Sequence, residues 1–177
     1  PFSNFYNKFG KFIPEKKYIS GSTVPSVTLF NSCARSDGAA ALIVTTIEKA
    51  EKLDLDILAE LISWGYYGIN PEYMGLSPVY AADIALKKAG LEFDQIGSFE
   101  LHEAFAATVL SAFKVGKLEF NHSWKEKWEE GLLNPNGGTI ALGHPLAATG
   151  TRLIMNLAYS MKENKSSGYG IAAACAA

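Results

Sequence analysis

The run Ile96-Gly97-Ser98-Phe99-Glu100-Leu101, continued without a break by His102-Glu103-Ala104-Phe105-Ala106-Ala107 and on to Lys114, decides the architecture. Residues 96–101 are short, apolar and partly alternating, as a strand entering a core requires. Past Ala104 the period changes: Phe105, Val109, Leu110 and Phe113 recur at helical spacing, so the strand feeds a helix over 104–114. The polar pair His102-Glu103 falls on the junction, where α/β proteins commonly face ligands. Taken by itself the pair has a plain alternative, in which His102 caps the helix and Glu103 favours its positive end.

Outward from that unit the alternation continues. Downstream, Thr149 to Glu163 carries Leu153, Ile154, Leu157 and Met161 on one helical face, and Gly168 to Ala176 reads as a strand of small residues. Upstream, Ser77 is placed to cap a helix with Pro78 in its first turn, and Ala81, Ile84, Ala85 and Lys88 carry it to a stop at Gly90. Leu58 to Gly68 resembles a strand, Ser36 to Ala40 a small-residue helix or turn, Ala41 to Thr45 an apolar stretch and Glu48 to Asp56 a charged segment. Trp124 to Glu130 reads as an amphipathic surface segment. Helices alternating with strands predict an α/β layered fold.

Composition narrows the function. The 177 residues are 48% apolar, enough for one substantial core, and sixteen basic residues scattered against eighteen acidic ones make nucleic acid an unfavoured partner. An anionic small molecule is not excluded, since a few local cations or helix-terminal NH groups suffice to hold phosphate. Two cysteines, Cys33 and Cys175, make neither a disulfide framework nor a zinc spacing motif, so a reducing compartment and no metal are expected. The longest apolar runs fall far short of the roughly 20 residues of a membrane span. The start, Pro1-Phe2-Ser3-Asn4, has no initiator Met and no signal-peptide core and reads as internal or processed.

Two further islands carry chemistry. Asn134-Pro135-Asn136-Gly137-Gly138-Thr139-Ile140-Ala141-Leu142-Gly143-His144-Pro145 surrounds one histidine with glycines and stiffens the chain after it. Alone, His144 reads equally as a turn residue with local hydrogen bonds. Gly168-Tyr169-Gly170-Ile171-Ala172-Ala173-Ala174-Cys175-Ala176-Ala177 puts a thiol among small neighbours that leave room for a substrate, although a free cysteine is also an ordinary core residue.

In order, His102-Glu103-Ala104-Phe105, Gly137-Gly138 with Ala141-Leu142-Gly143-His144-Pro145, and Cys175-Ala176-Ala177 resemble the successive active-site motifs of the thiolase family, and Ser36-Asp37-Gly38-Ala39-Ala40-Ala41 resembles the segment that opens the family's C-terminal domain. The resemblance implies a thiolase-like layered fold, a C-terminal half with a mixed sheet covered by helices. Residues 1–30 are then a loop-rich lead-in from a preceding loop region, and 31–177 the C-terminal domain lacking its last strand, with an unpaired sheet edge. His102, where many members have Asn, makes the chain most similar to thiolases of fatty-acid β-oxidation complexes.

Carried onto this chain, the resemblance implies that His144 activates a nucleophilic cysteine and binds the thioester oxygen. Cys175 moves protons, and His102 holds a water at the oxyanion site. The NH of Ala177 matches a second oxyanion hole, with Glu103, Phe105 and Gly143 shaping the pocket. Cys33 and Ala34 stand where relatives carry Ser-Gly against the pantetheine arm. Coenzyme A is then a substrate and no resident cofactor is expected. The implied partners are acyl-CoA, an N-terminal half or subunit bringing the nucleophile, further copies in a homo- or hetero-oligomer, and a hydratase/dehydrogenase subunit. The implied compartment is bacterial cytoplasm or a mitochondrial or peroxisomal matrix. The alternatives are a biosynthetic acetoacetyl-CoA thiolase and a non-catalytic scaffold subunit.

Overall fold

The computed structural model describes residues 27–164 and 168–176. The lead-in over 1–26 and the terminal Ala177 lie outside the described residues.

Strand β1 (Ser98–Leu101) pairs in parallel with β2 (Gly170–Ala173), in the register Ser98 to Gly170 and Leu101 to Ala173. Every residue of β1 is buried, so its alternating sequence places the polar Ser98 and Glu100 inside with Phe99 and Leu101. Among the described residues the sheet is these two parallel strands, a narrower object than the mixed sheet expected. The small-residue strand is also shorter than 168–176, and Cys175 lies two residues beyond its end.

Helices cover the pair. Helix α1 (Ile47–Lys52) takes the start of the charged segment and is capped by the Thr46 side chain. The helix expected to open at Ser77 is α2 (Ser77–Ala89), but Ser77 does not cap it: a 3₁₀ turn (Pro71–Leu76) runs straight into the helix, and Ser77 Oγ donates to the Met74 carbonyl at 2.8 Å. Gly90 ends it as expected, with φ +68. Helix α3 (Ala106–Phe120) buries Thr108, Ala112 and Gly116, while Leu110 of the predicted stripe is exposed. Thr108 on that face meets Gly75 of the 3₁₀ turn, and Gly116 lies under Trp124, at the start of α4 (Trp124–Glu129), where a Cβ would overlap the indole ring. The surface segment is therefore pinned by a fully buried tryptophan that composition alone did not reveal. Helices α5 (Thr139–Leu142) and α6 (Thr149–Asn164) follow, α6 burying Leu153 and Leu157 and exposing Ile154.

Phe93, Phe99 and Trp124 form the centre of the core, with ring centroids 5.1 to 5.5 Å apart, joined by Val79, Leu86, Ile96 and Leu133. Two expected elements differ. Residues 58–68 form no strand, because no described neighbour offers them a ladder. They are tied instead to α2 through Ser63 Oγ to the Ala85 carbonyl and Lys88 Nζ to the Trp64 carbonyl, at 2.7 and 3.0 Å. Residues 36–40 form neither helix nor turn. They lie beside the His144 loop, where a Cβ on Gly38 would come within 2.8 Å of Pro145 Cγ.

Candidate active site

Three segments converge at the carboxyl end of the two strands. His102 follows β1 directly and its NH donates to the Ala173 carbonyl at 2.8 Å, which locks the end of β1 to the end of β2, just before Cys175. The segment around Cys33 threads between the other two motifs on backbone hydrogen bonds: Cys33 NH to the Ala104 carbonyl at 3.0 Å, Ala106 NH to the Asn31 carbonyl at 2.8 Å, and His144 NH to the Ala34 carbonyl at 2.7 Å. Gly143 makes that approach possible. Its φ is +86, and a Cβ there would lie 2.5 Å from Ser36 Oγ.

His102 is buried, its Nδ1 3.0 Å from Thr139 Oγ1, and its ring centroid lies 4.3 Å from that of His144. His144 is half-buried, with Nδ1 2.7 Å from Thr149 Oγ1. The Thr149 hydroxyl has one proton, which it donates to the Pro145 carbonyl at 3.1 Å. Its oxygen therefore accepts from His144 Nδ1–H, and the Nε2 lone pair is left as the basic site.

Charge is suppressed here. Burial, then the neighbouring His144 and Arg152, brings the His102 pKa down to about 4, so its ring is neutral near pH 7. Burial and Arg152 lower that of His144 as well. The Cys175 thiol is buried and its pKa is raised by that burial, with the nearby Cys33 adding to it, so it rests as a proton donor. Arg152 is itself held by its Nη2 donating to the Gly143 carbonyl at 2.9 Å.

Glu103 does not face the pocket as a free carboxylate. Asn134 Nδ2 and the Ile140 NH donate to it at 2.8 and 3.2 Å, and it lies against Gly138, where a Cβ would overlap it. It clamps the strand junction to the glycine loop. Asn134 completes the clamp: with φ +49 its side chain accepts from Leu101 NH at 2.8 Å and donates to the Leu101 carbonyl at 3.0 Å, in the manner of a further strand residue. The alternative in which His102 is a helix cap fails, since Phe105 holds the N-cap position of α3 and the imidazole bonds Thr139.

Of the expected site residues, the donor atoms of His102, His144 and Cys33 come together, and Cys175, two residues past β2, is near enough to Cys33 to feel its charge. Phe105 is half-buried at the start of α3, Ala34 is exposed beside the pocket, and the Ala177 NH lies outside the described residues. Asn134, Thr139, Thr149 and Arg152 were not singled out, although all four sit within or just after the glycine island. The expectation of no metal site rested on sequence spacing, yet folding brings donor atoms of Cys33, His102 and His144 within 4.8 Å of one another.

Two oriented neutral imidazoles and a protonated thiol gathered at a strand end can take up and return protons. Residues 55–177 match the family model described as "Thiolase, C-terminal domain", and the chain belongs to the thiolase family. It is 41% identical over 150 residues to human peroxisomal 3-ketoacyl-CoA thiolase, covering 85% of this chain and 33% of that protein. It is 39% identical over 150 residues to an acetyl-CoA acetyltransferase of Syntrophomonas wolfei, covering 85% of this chain and 36% of the relative. The fold superposes on the crystal structure of the Bacillus anthracis acetyl-CoA acetyltransferase with TM-score 0.75 at 31% identity, over 85% of this chain and 35% of that one. The chain thus spans about a third of the length of the relatives it matches.

Proposed function

We propose that the chain supplies the acid/base half of a 3-ketoacyl-CoA thiolase, which cleaves a 3-ketoacyl-CoA with coenzyme A into acetyl-CoA and a shortened acyl-CoA. The observation that carries this reading is the pair of threonine-anchored imidazoles beside the strand end that bears Cys175. An N-terminal half brings the nucleophilic cysteine, and exposed apolar side chains such as Leu110, Leu142 and Leu146 give it a surface to cover.

His144 Nε2 takes the proton of the nucleophile, whose thiolate adds to the 3-keto carbon. The C2–C3 bond then breaks, and its electron pair leaves as the acetyl-CoA enolate, whose oxygen is held by His144 and a water on His102. Cys175 gives its proton to C2. The thiol of a second coenzyme A loses its proton to the Cys175 thiolate and displaces the acyl group, which restores the enzyme. No resident cofactor is required. A homo- or hetero-oligomer, working with a hydratase/dehydrogenase subunit in bacterial cytoplasm or an organelle matrix, fits this reading; two of the matched relatives are a human peroxisomal and a Bacillus subtilis thiolase.

The similarity to an acetyl-CoA acetyltransferase favours a second reading, in which the physiological direction is condensation of two acetyl-CoA molecules. Thiolysis of acetoacetyl-CoA and of a long-chain 3-ketoacyl-CoA by the full-length protein separates the two. Turnover of both supports the degradative reading, four-carbon turnover alone supports the biosynthetic one, and turnover of neither leaves the scaffold alternative.

A further inference from the structure

Three donors far apart in sequence meet in the pocket. Cys33 Sγ and one ring nitrogen each of His102 and His144 lie within 4.8 Å of one another. His144, with Nδ1–H on Thr149, offers its Nε2 lone pair, and His102 offers Nε2 in the tautomer whose Nδ1–H donates to Thr139. Metal-binding histidines are oriented in this way, one nitrogen on an oxygen partner and the other free for the ion. Backbone hydrogen bonds fix the sulfur's segment to both neighbours, through Cys33 to Ala104 and Ala34 to His144. The Glu103 carboxylate is engaged elsewhere, accepting from Asn134 and Ile140.

We propose that Cys33, His102 and His144 form a site for a borderline-soft divalent cation of the Zn²⁺ class, and that such an ion and acyl-CoA exclude each other from the pocket. Two imidazoles and one thiolate leave a fourth tetrahedral position open, as in catalytic zinc centres, and they select against Mg²⁺ and Ca²⁺, which take oxygen ligands. With Zn–S near 2.3 Å and Zn–N near 2.0–2.1 Å, tetrahedral donors stand roughly 3.5 Å apart. Side-chain torsions need to draw these three together by little more than about an ångström. On binding, the Cys33 thiol releases its proton to solvent as the sulfur–metal bond forms. The ion would occupy the base and the oxyanion donors at once, making the pocket sensitive to free zinc. The inference goes beyond the thiolysis reading and does not depend on turnover.

The test is a Co²⁺ titration of the full-length reduced protein followed by absorbance, with Zn²⁺ as the displacing ion. One Co²⁺ per site is expected, with a thiolate-to-metal charge-transfer band and the visible bands of a four-coordinate ion. Cys33→Ser should weaken binding about 100-fold and lower the charge-transfer band, and His102→Asn should weaken it about 10-fold or more. Acetyl-CoA should raise the Co²⁺ concentration needed for half-saturation. A wild-type spectrum without a thiolate band, or a Cys33→Ser protein that binds Co²⁺ unchanged, overturns the site. Should Cys33→Ser fail to fold by circular dichroism, unchanged affinity in His102→Asn overturns it alone. A Co²⁺ affinity that saturating acetyl-CoA leaves unchanged overturns the mutual exclusion. A protein inactive in thiolysis that still gives the cobalt spectrum would sink the proposed reaction and leave the metal site standing.

Discussion

The chain has three histidines, and they fall in two regions that treat an imidazole in opposite ways. Behind the sheet, His122 is buried in the aromatic core, stacked on Phe93 at 4.6 Å and 11° and tilted against Phe120 at 5.5 Å. Its Nδ1 has no hydrogen-bond partner among the described residues, and Nε2 stands 3.9 Å from Asp83. At the strand ends, His102 and His144 each have Nδ1 fixed by a threonine hydroxyl. All three have their pKa lowered by burial before any other cause. Burial and a perturbed pKa therefore do not separate a working imidazole from a packing one. What differs between them is the anchor, a threonine hydroxyl on Nδ1 of His102 and His144 and none on that of His122.

The largest expected effect breaks or makes that comparison. His144→Ala in the full-length protein should lower kcat for thiolysis about 10³-fold, the loss of a positioned base, whereas His122→Phe should leave kcat within about threefold. A comparable fall in His122→Phe would mean that the two regions are not functionally distinct. The next effect sharpens it. Thr149→Val keeps the shape and deletes the acceptor for Nδ1–H, so kcat should fall about 10- to 100-fold with KM little changed and the pH profile moved, while Thr149→Ser restores both. A KM effect alone would make Thr149 a packing residue.

Much of this was legible in the sequence, for identifiable reasons. A change of period from strand to helix at Ala104 marks β1 and α3, and the order of the motifs marks His102, His144 and Cys175. The threonine anchors were not legible, because a hydroxyl's partner depends on where two loops meet, and Thr139 lies 37 residues from His102. Trp124 was read as surface since its helix is charged; only Gly116 on α3 shows why an indole fits there. Residues 58–68 have strand composition, but a strand also needs a neighbour, and none of the described residues provides one. The Cys33 cluster was invisible to spacing rules, which find metal sites built from local pairs.

A third, smaller effect concerns the buried acids of the two regions. Asp83, behind the sheet, holds Lys87 at 2.7 Å. Glu100, in β1 beneath the pocket, is 1% exposed with neither carboxylate oxygen hydrogen-bonded among the described residues. Burial raises its pKa to about 7, opposed by Arg152 and reinforced by Glu103. A folded-state pKa above the ordinary 4.5 means that stability falls as pH rises from there through about 7. The full cost of ionisation approaches about 3 kcal/mol above that range. Glu100→Gln should raise unfolding stability by about 1–2 kcal/mol at pH near 8, since the amide also enters unpaired, and the gain should shrink toward pH 5. Denaturant midpoints at the two pH values measure it, and a destabilised variant at the higher pH would show that the carboxylate has a partner.

The smallest effect returns to His122. Its lowered pKa means that the unfolded chain takes up a proton more readily, so His122 contributes stability that is present at neutral pH and lost as pH falls through the ordinary histidine range near 6.5. Burial and Lys87 oppose the charged ring, while Asp83, Asp94 and Glu92 favour it, and burial prevails. His122→Phe should make the loss of stability between about pH 7 and pH 5 shallower, without removing the share that belongs to His102. A fit of unfolding free energy against pH for both proteins reads this directly. An unchanged slope would mean that the Asp83 carboxylate holds the His122 proton in the folded state, and the packing histidine would then have an ionic role that its 3.9 Å separation does not suggest.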